Sequence, residues 1–333
     1  MAVAGCSADA ASTVQPSVNE PSPTASPSPA LSPSPPSSPA PSPLTAGELR
    51  GGIEVSDIRA HLEALQRIAD ANEGDRATGT GGFDASVAYV ADRLTAAGYT
   101  VERQEFPVGG VASANLVVER AGANAEAVVM LGAHLDSVLA GPGINDNGSG
   151  VATLLVIAER LAGLPAPGRT VRLAFWGAEE NGPFGSRAYV EALAPEELAR
   201  IDAYLNFDVL GSPNFIRFVY DEAAAVPGSD ELTALFADHF EREGLAWEPI
   251  DLEGDSDHGP FAAAGIPTGG LFSGGIEPKT DAQAATHGGT AGIPADACSH
   301  RACDTIANLS DPILAEMADA IAVALVTLAN AGP

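Results

Sequence analysis

The chain has 333 residues, enough for one large domain or two small ones. Its 44 acidic and 16 basic residues leave a formal charge of −28, which argues against nucleic acid and anionic membrane surfaces as partners. The apolar share of 45% is ordinary for a globular protein, and no uninterrupted apolar run is long enough to span a bilayer.

In chain order, Val3-Ala-Gly-Cys6 resembles a bacterial lipobox with Cys6 as the acylated residue, although only five residues stand before it. Residues 7–53 are rich in Ser, Pro, Ala and Thr and cannot build a core, so they read as a tether. The folded domain is expected over residues 54–333. Helical spacing predicts a helix over 55–71 with Ser56 as N-cap and His61 on its surface. A loop at 79–82 leads to a second helix over 83–97. Strands are expected at 99–106, 115–119 and 127–131, then a helix at 148–161 and a strong strand at 170–176. Further strands fall at 203–207, 215–220 and 268–272, a helix at 231–243 carries an exposed His239, and an amphipathic helix over 313–329 ends the chain. Strands alternating with helical runs indicate a three-layer α/β sandwich: a central mixed, mostly parallel sheet flanked by helices.

The apolar strand at 127–131 runs into GAHLDSVLAGPGINDNGSG, residues 132–150, which holds His134, Asp136 and Asp146 on a glycine-rich loop. Such loops past strand ends are where α/β sheets place ligands. Three more strand ends carry acids or imidazole: Glu179 and Glu180 after LAFW, Asp208 after YLNF, and His300 between Cys298 and Cys303. Each has an ordinary reading, as a packing histidine, a first-turn acid or a turn former. Together they match the inventory for two divalent ions bridged by a carboxylate. The cysteine pair suggests a disulfide closing a small loop, with two buried free thiols as the alternative.

The motifs GAHLDS, GINDNGSG, WGAEE, LNFDVLGSPN, SDHGPF, GGLFSG and Cys-x-His-x-x-Cys, in this order, resemble the secreted two-zinc bacterial aminopeptidases of the aminopeptidase S type. The resemblance implies one zinc on His134, Asp146 and Asp208 and another on Asp146, Glu180 and His300. It makes Glu179 the general base for a water shared by two zincs, and Asp136 the carboxylate that orients His134. Phe272 matches a position lining the pocket for a large apolar first side chain, though it could equally be a core aromatic. The implied substrates are peptides with a free N-terminus, and the implied setting is extracellular, as a secreted or lipid-anchored monomer.

Three features depart from that pattern. Ser299 stands where these aminopeptidases commonly carry a tyrosine that hydrogen-bonds the tetrahedral intermediate. The segment 253–258 is short and lacks the arginine that often precedes its Ser-Asp-His step; His258 reads as structural and Ser256 as the cap of a helix starting near Pro260. Asp57 and Asp319 match acids of a calcium site found in some relatives, but Ala315 occupies another ligand position, so calcium is not expected. Two other readings stay open: a glutaminyl cyclase with a single zinc, and a surface binding module with hydrolysis weakened.

Overall fold

The apolar runs become the centre of one eight-stranded sheet. The computed structural model describes residues 11–17, 43–221 and 226–331; Cys6 and most of the 7–53 segment lie outside the described residues. Among the described residues the strands are β1 (Glu102–Val108), β2 (Val111–Arg120), β3 (Asn124–His134), β4 (Arg169–Trp176), β5 (Ile201–Phe207), β6 (Phe218–Tyr220), β7 (Glu248–Ile250) and β8 (Thr268–Phe272). Their spatial order is β1-β2-β4-β3-β5-β8-β6-β7. The central four, β4, β3, β5 and β8, run parallel. Antiparallel pairs β1–β2, β2–β4 and β6–β8 flank them, and β7 adds parallel to β6. Strands buried on both faces read as continuous apolar runs rather than alternating ones, which is why the central strands were legible.

The helices are α1 (Ala46–Arg50), α2 (Val55–Ala71), α3 (Gly81–Ala96), α4 (Gly148–Ala162), α5 (Phe184–Ala192), α6 (Pro195–Leu198), α7 (Ser229–Arg242), α8 (His258–Ala263), α9 (Asp281–His287) and α10 (Asp311–Asn330). Alternation along β3 decides the layers. Val129, Leu131 and Ala133 enter a core with Leu62, Val87, Leu154, Phe236 and Ile321 from α2, α3, α4, α7 and α10. Met130 enters a smaller cluster with Trp176, Tyr204, Tyr189 of α5 and Phe261 of α8. Gly132 lies two residues on from Met130: a Cβ there would sit 2.3 Å from the Tyr204 hydroxyl and 2.4 Å from Trp176 Nε1, so a larger residue would push both rings away. By length and composition α10 could cross a membrane, yet 61% of its most apolar window is buried, as in a core helix.

Several expectations are corrected. Leu44 and Leu49 are fully buried in the main core, so the packed chain starts about ten residues before 54. Thr45 caps α1 in a reciprocal pair with Glu48, a start signal hidden by the proline-rich composition around it. Helix α2 begins at Val55 with Glu54 at the cap, which puts Ser56 inside the first turn. His61 is buried, its Nδ1 2.7 Å from the Tyr89 hydroxyl. His239 is buried as well, 3.3 Å from Asp319. Both lie on amphipathic helices, where a histidine beside charged neighbours can face inward once a partner waits there. Ser256 does not cap α8; its hydroxyl donates to Asp208 instead, at 3.0 Å.

Candidate active site

The carboxyl ends of the parallel strands converge on one place. His134 is the last residue of β3, Glu179 and Glu180 follow β4, and Asp208 follows β5. Asp146 comes from the loop just before α4, whose N-terminus is capped by the Asn147 side chain accepting from Gly150 N–H. The Asp146–Asn147 peptide is cis. His300 lies between α9 and α10, on a loop closed by a Cys298–Cys303 disulfide with its Cα atoms 5.2 Å apart.

Two groups of three donors share Asp146. His134, Asp146 and Asp208 form one and Asp146, Glu180 and His300 the other, with the ligand atoms of each group within 4.8 Å of one another. His134 Nε2 lies 3.2 Å from Asp208 and 3.4 Å from Asp146. His300 Nε2 lies 3.2 Å from Asp146 and 3.1 Å from Glu180. Glu179 stands beside the first group, 3.9 Å from His134 Nε2.

Backbone geometry adds to the picture. Ala178, Val209 and His300 all have φ near +60°, and each is a site residue or the neighbour of one. For a β-branched valine that conformation is costly, and the surrounding packing must enforce it.

Asp136 does more than orient His134. His134 Nδ1 meets the backbone carbonyl of Asp136 at 3.2 Å, closer than the carboxylate at 3.7 Å. The carboxylate instead accepts the N–H groups of Glu179 and Glu180, at 3.1 and 3.4 Å. One residue thus fixes the imidazole with its main chain and both glutamates with its side chain.

Electrostatics set the charge balance of the cluster. Burial raises the carboxyl of Glu179 well above its ordinary range, even with His134 nearby, and burial raises Glu180 too. Burial opposes charge on His134, but Asp208 and Glu179 overcome it and raise its imidazole well above the usual value. Hydrogen bonds donated to Asp146 and Glu180 raise His300 to about 11. Asp146 is held low by the two histidines in spite of its burial. Glu180 Oε1 is buried without a hydrogen-bond partner, an orphan that a cation would satisfy. The donor set, imidazoles and carboxylates around a shared aspartate, fits a pair of divalent ions.

A cavity of about 630 Å³ opens from this cluster. Asp146, Glu179, Glu180, Asp208 and His300 line one end, and Ile216, Phe218, Ile250, Leu252 and Phe272 form an apolar wall. Phe272 stacks on Phe218 with ring centroids 6.0 Å apart, so the wall is pre-formed. Ser299 also lines the cavity, but its hydroxyl donates to Asp146 at 3.2 Å.

Other supporting residues gave no signal in the sequence. Arg76 is fully buried and donates to the carbonyls of Leu135, Pro142 and Gly143, holding the loop between His134 and Asp146. Burial lowers its guanidinium to about 10, and the site carboxylates work against that shift. Asp304 accepts the main-chain N–H groups of Asn145 and Asp146. Only a motif that names backbone carbonyls and amides could have revealed these two, and side-chain spacing does not.

Residues 115–325 match the profile of peptidase family M28, which is more than half of the chain. The chain belongs to peptidase family M28. It is 43% identical over 296 residues to leupeptin-inactivating enzyme 1 of Streptomyces exfoliatus, covering 88% of this chain and 66% of that one. It is 48% identical over 214 residues to an aminopeptidase of Pseudomonas aeruginosa strain UCBPP-PA14, covering 62% of this chain and 40% of that one. The chain therefore spans from two fifths to just under two thirds of the length of these curated relatives. Among solved structures, the aminopeptidase from Aneurinibacillus sp. strain AM-1 shares the fold with a TM-score of 0.72 at 17% identity, over 86% of this chain and 97% of that one. A zinc aminopeptidase from Bacillus subtilis aligns with a TM-score of 0.56 at 26% identity, over 67% of this chain and 52% of that one. A Porphyromonas gingivalis glutaminyl cyclase shares the fold too, with a TM-score of 0.62 at 18% identity, over 83% of this chain and 97% of that one.

Proposed function

We propose that the protein is a metal-dependent aminopeptidase that holds two zinc ions and removes large apolar residues from the N-termini of peptides. The observation that carries this reading is the pair of donor groups sharing Asp146 at the end of an apolar cavity, with Glu179 beside them. Zinc follows from the donor types and from the zinc aminopeptidase of Bacillus subtilis to which the chain is similar. Bound divalent ions polarise the scissile carbonyl and lower the pKa of an attacking water. His134, Asp146 and Asp208 would hold one ion, and Asp146, Glu180 and His300 the other.

Glu179 takes the proton of the attacking water and returns it to the leaving amine. Its burial favours that role, because a carboxylate in a dry site is a stronger base than one in water. Asp136 keeps Glu179 in place through the N–H it accepts. The carboxylates at the metal end attract the free α-ammonium of the substrate, which selects chain ends over internal bonds. The apolar wall of Phe218 and Phe272 receives the first side chain. Export and lipid anchoring through Cys6 complete the proposal, since a disulfide beside the active site fits an oxidising compartment.

The two shared donor groups favour this reading over a single-zinc cyclase. The test is turnover of aminoacyl-p-nitroanilides, before and after chelation and zinc return. Leu and Phe substrates should turn over fastest, N-acetylated ones not at all, and the chelated protein should regain activity with zinc. Release of ammonia from an N-terminal glutamine peptide, with no nitroaniline from any substrate, would replace the peptidase by the cyclase.

A further inference from the structure

Residues 296–308 hold the segment in front of α4 at five hydrogen bonds, one of them from the Ser299 hydroxyl to the Asp146 carboxylate at 3.2 Å. Ile144 N–H donates to the Asp304 carbonyl at 3.2 Å. The N–H groups of Asn145 and Asp146 donate to the two carboxylate oxygens of Asp304 at 2.8 and 3.0 Å. The Asn145 side-chain amide donates to Asp296 at 2.6 Å. Both acids are buried, and Asn308 ties them together with bonds of 2.8 Å to Asp296 and 3.4 Å to Asp304. The gripping loop is the one that carries His300. Gly141 lets the opposing loop come close, for a Cβ there would lie 2.2 Å from the Arg301 carbonyl oxygen.

The two donor groups therefore have unequal foundations. His134 is the end of β3, and Asp208 directly follows β5 and accepts from Ser256. Asp146 and His300 both sit on loops; their main-chain register passes through Asp304, and Ser299 adds one side-chain bond to Asp146. Resting on the proposed metal centre, we propose that Asp304 is a positioning residue that sets the zinc affinity of the Asp146–Glu180–His300 group, acting through the Asp146 N–H and the loop that bears His300. A carboxylate has an acceptor for each of the two N–H groups. An amide in its place turns an N–H₂ toward one of them and leaves that donor unpaired. Loss of such outer partners typically weakens metal binding about 10–100-fold.

The test is zinc titration of the full chain against a chromophoric chelator, with zinc stoichiometry by elemental analysis. The wild type should take two equivalents. Asp304→Asn should keep the affinity of the first and weaken the second about 10–100-fold. Its activity at limiting zinc should fall and return on adding zinc, with KM unchanged. Asn308→Ala breaks the tie between the two acids but no bond to Asp146, so it should weaken the second equivalent by a smaller factor. That variant decides the matter if Asp304→Asn does not fold. Unchanged affinity for the second equivalent in the folded variant overturns the proposal, and so does equal weakening of both equivalents. A wild type that takes up no zinc overturns the proposed function itself and this inference with it.

Discussion

His239, Glu243 and Asp319 bring their ligand atoms as close together as the active-site groups do, all within 4.8 Å. The difference between the two places is a resident cation. Arg50 of α1 donates Nε to Asp319 at 2.5 Å and places a second nitrogen 3.3 Å from Glu243, while His239 lies 3.3 Å from Asp319. Charge closes on itself there, and the acids remain 29–44% exposed to water. At the strand ends, Asp136, Asp146, Glu179, Glu180 and Asp208 face two imidazoles, the nearby guanidinium of Arg76 is committed to carbonyls, and a buried glutamate oxygen has no partner. Matching residue types within reach do not make a metal site. Uncompensated negative charge, held where water cannot screen it, does. Of the acids matched to a calcium site, Asp319 pairs with Arg50, and Asp57 pairs with Arg160 at 2.7 Å.

The largest expected effect tests the excess of carboxylates. Glu179→Gln should keep its metal, since Glu179 is outside both donor groups. It should lose at least about a hundredfold in kcat, the usual size of a general-base contribution. Unaltered kcat, or lost metal in elemental analysis, would merge Glu179 with the ligands and spoil the division of labour drawn above. Next comes the apolar wall. Phe218→Ala should lower kcat/KM for leucine and phenylalanine substrates by roughly 10–200-fold while changing alanine substrates much less. A uniform drop across substrates would mean that the ring supports the fold and not the pocket.

The smallest effect belongs to the neutralised cluster. Burial would raise the Asp319 carboxyl, but His239 and Arg50 outweigh it and hold it below 3.8. A lowered pKa contributes stability above the unfolded value, and that contribution is lost as pH falls through the folded one. Asp319→Asn should therefore cost about 1 kcal/mol at neutral pH, discounted for partial exposure, and nearly nothing once the wild-type acid is protonated. Urea unfolding at both ends of that range measures it, and chelators should shift the two proteins equally. A chelator response that disappears in Asp319→Asn would show that this second cluster does hold an ion.

The sheet, His134, Glu179, Glu180 and Asp208 were legible for one reason, while Asp146 and His300, on loops, were legible through the motifs GINDNGSG and Cys-x-His-x-x-Cys. Parallel strands buried on both faces write uninterrupted apolar runs, and the residues right after them sit at the edge where α/β sheets bind ligands. Shorter elements were not legible: α1, α5, α6, β7 and α9 carry too few residues for a period to emerge. His61 and His239 were misplaced because burial of a histidine depends on a distant partner, Tyr89 for one and Asp319 for the other.

By itself, the sequence determined the central strands and the acids that follow β4 and β5, and the close spacing of Cys298 and Cys303 suggested their disulfide, whereas the division of donors into two groups came from the family resemblance. Tertiary structure alone decided which carboxylates remain without a cation. It also decided that Asp136 serves Glu179 and Glu180 as well as His134, that Phe218 joins Phe272 in the wall, and that Asp304 registers two loops. These depend on where main-chain amides and guanidinium groups from remote segments come to rest, and no local pattern in the chain encodes that distance.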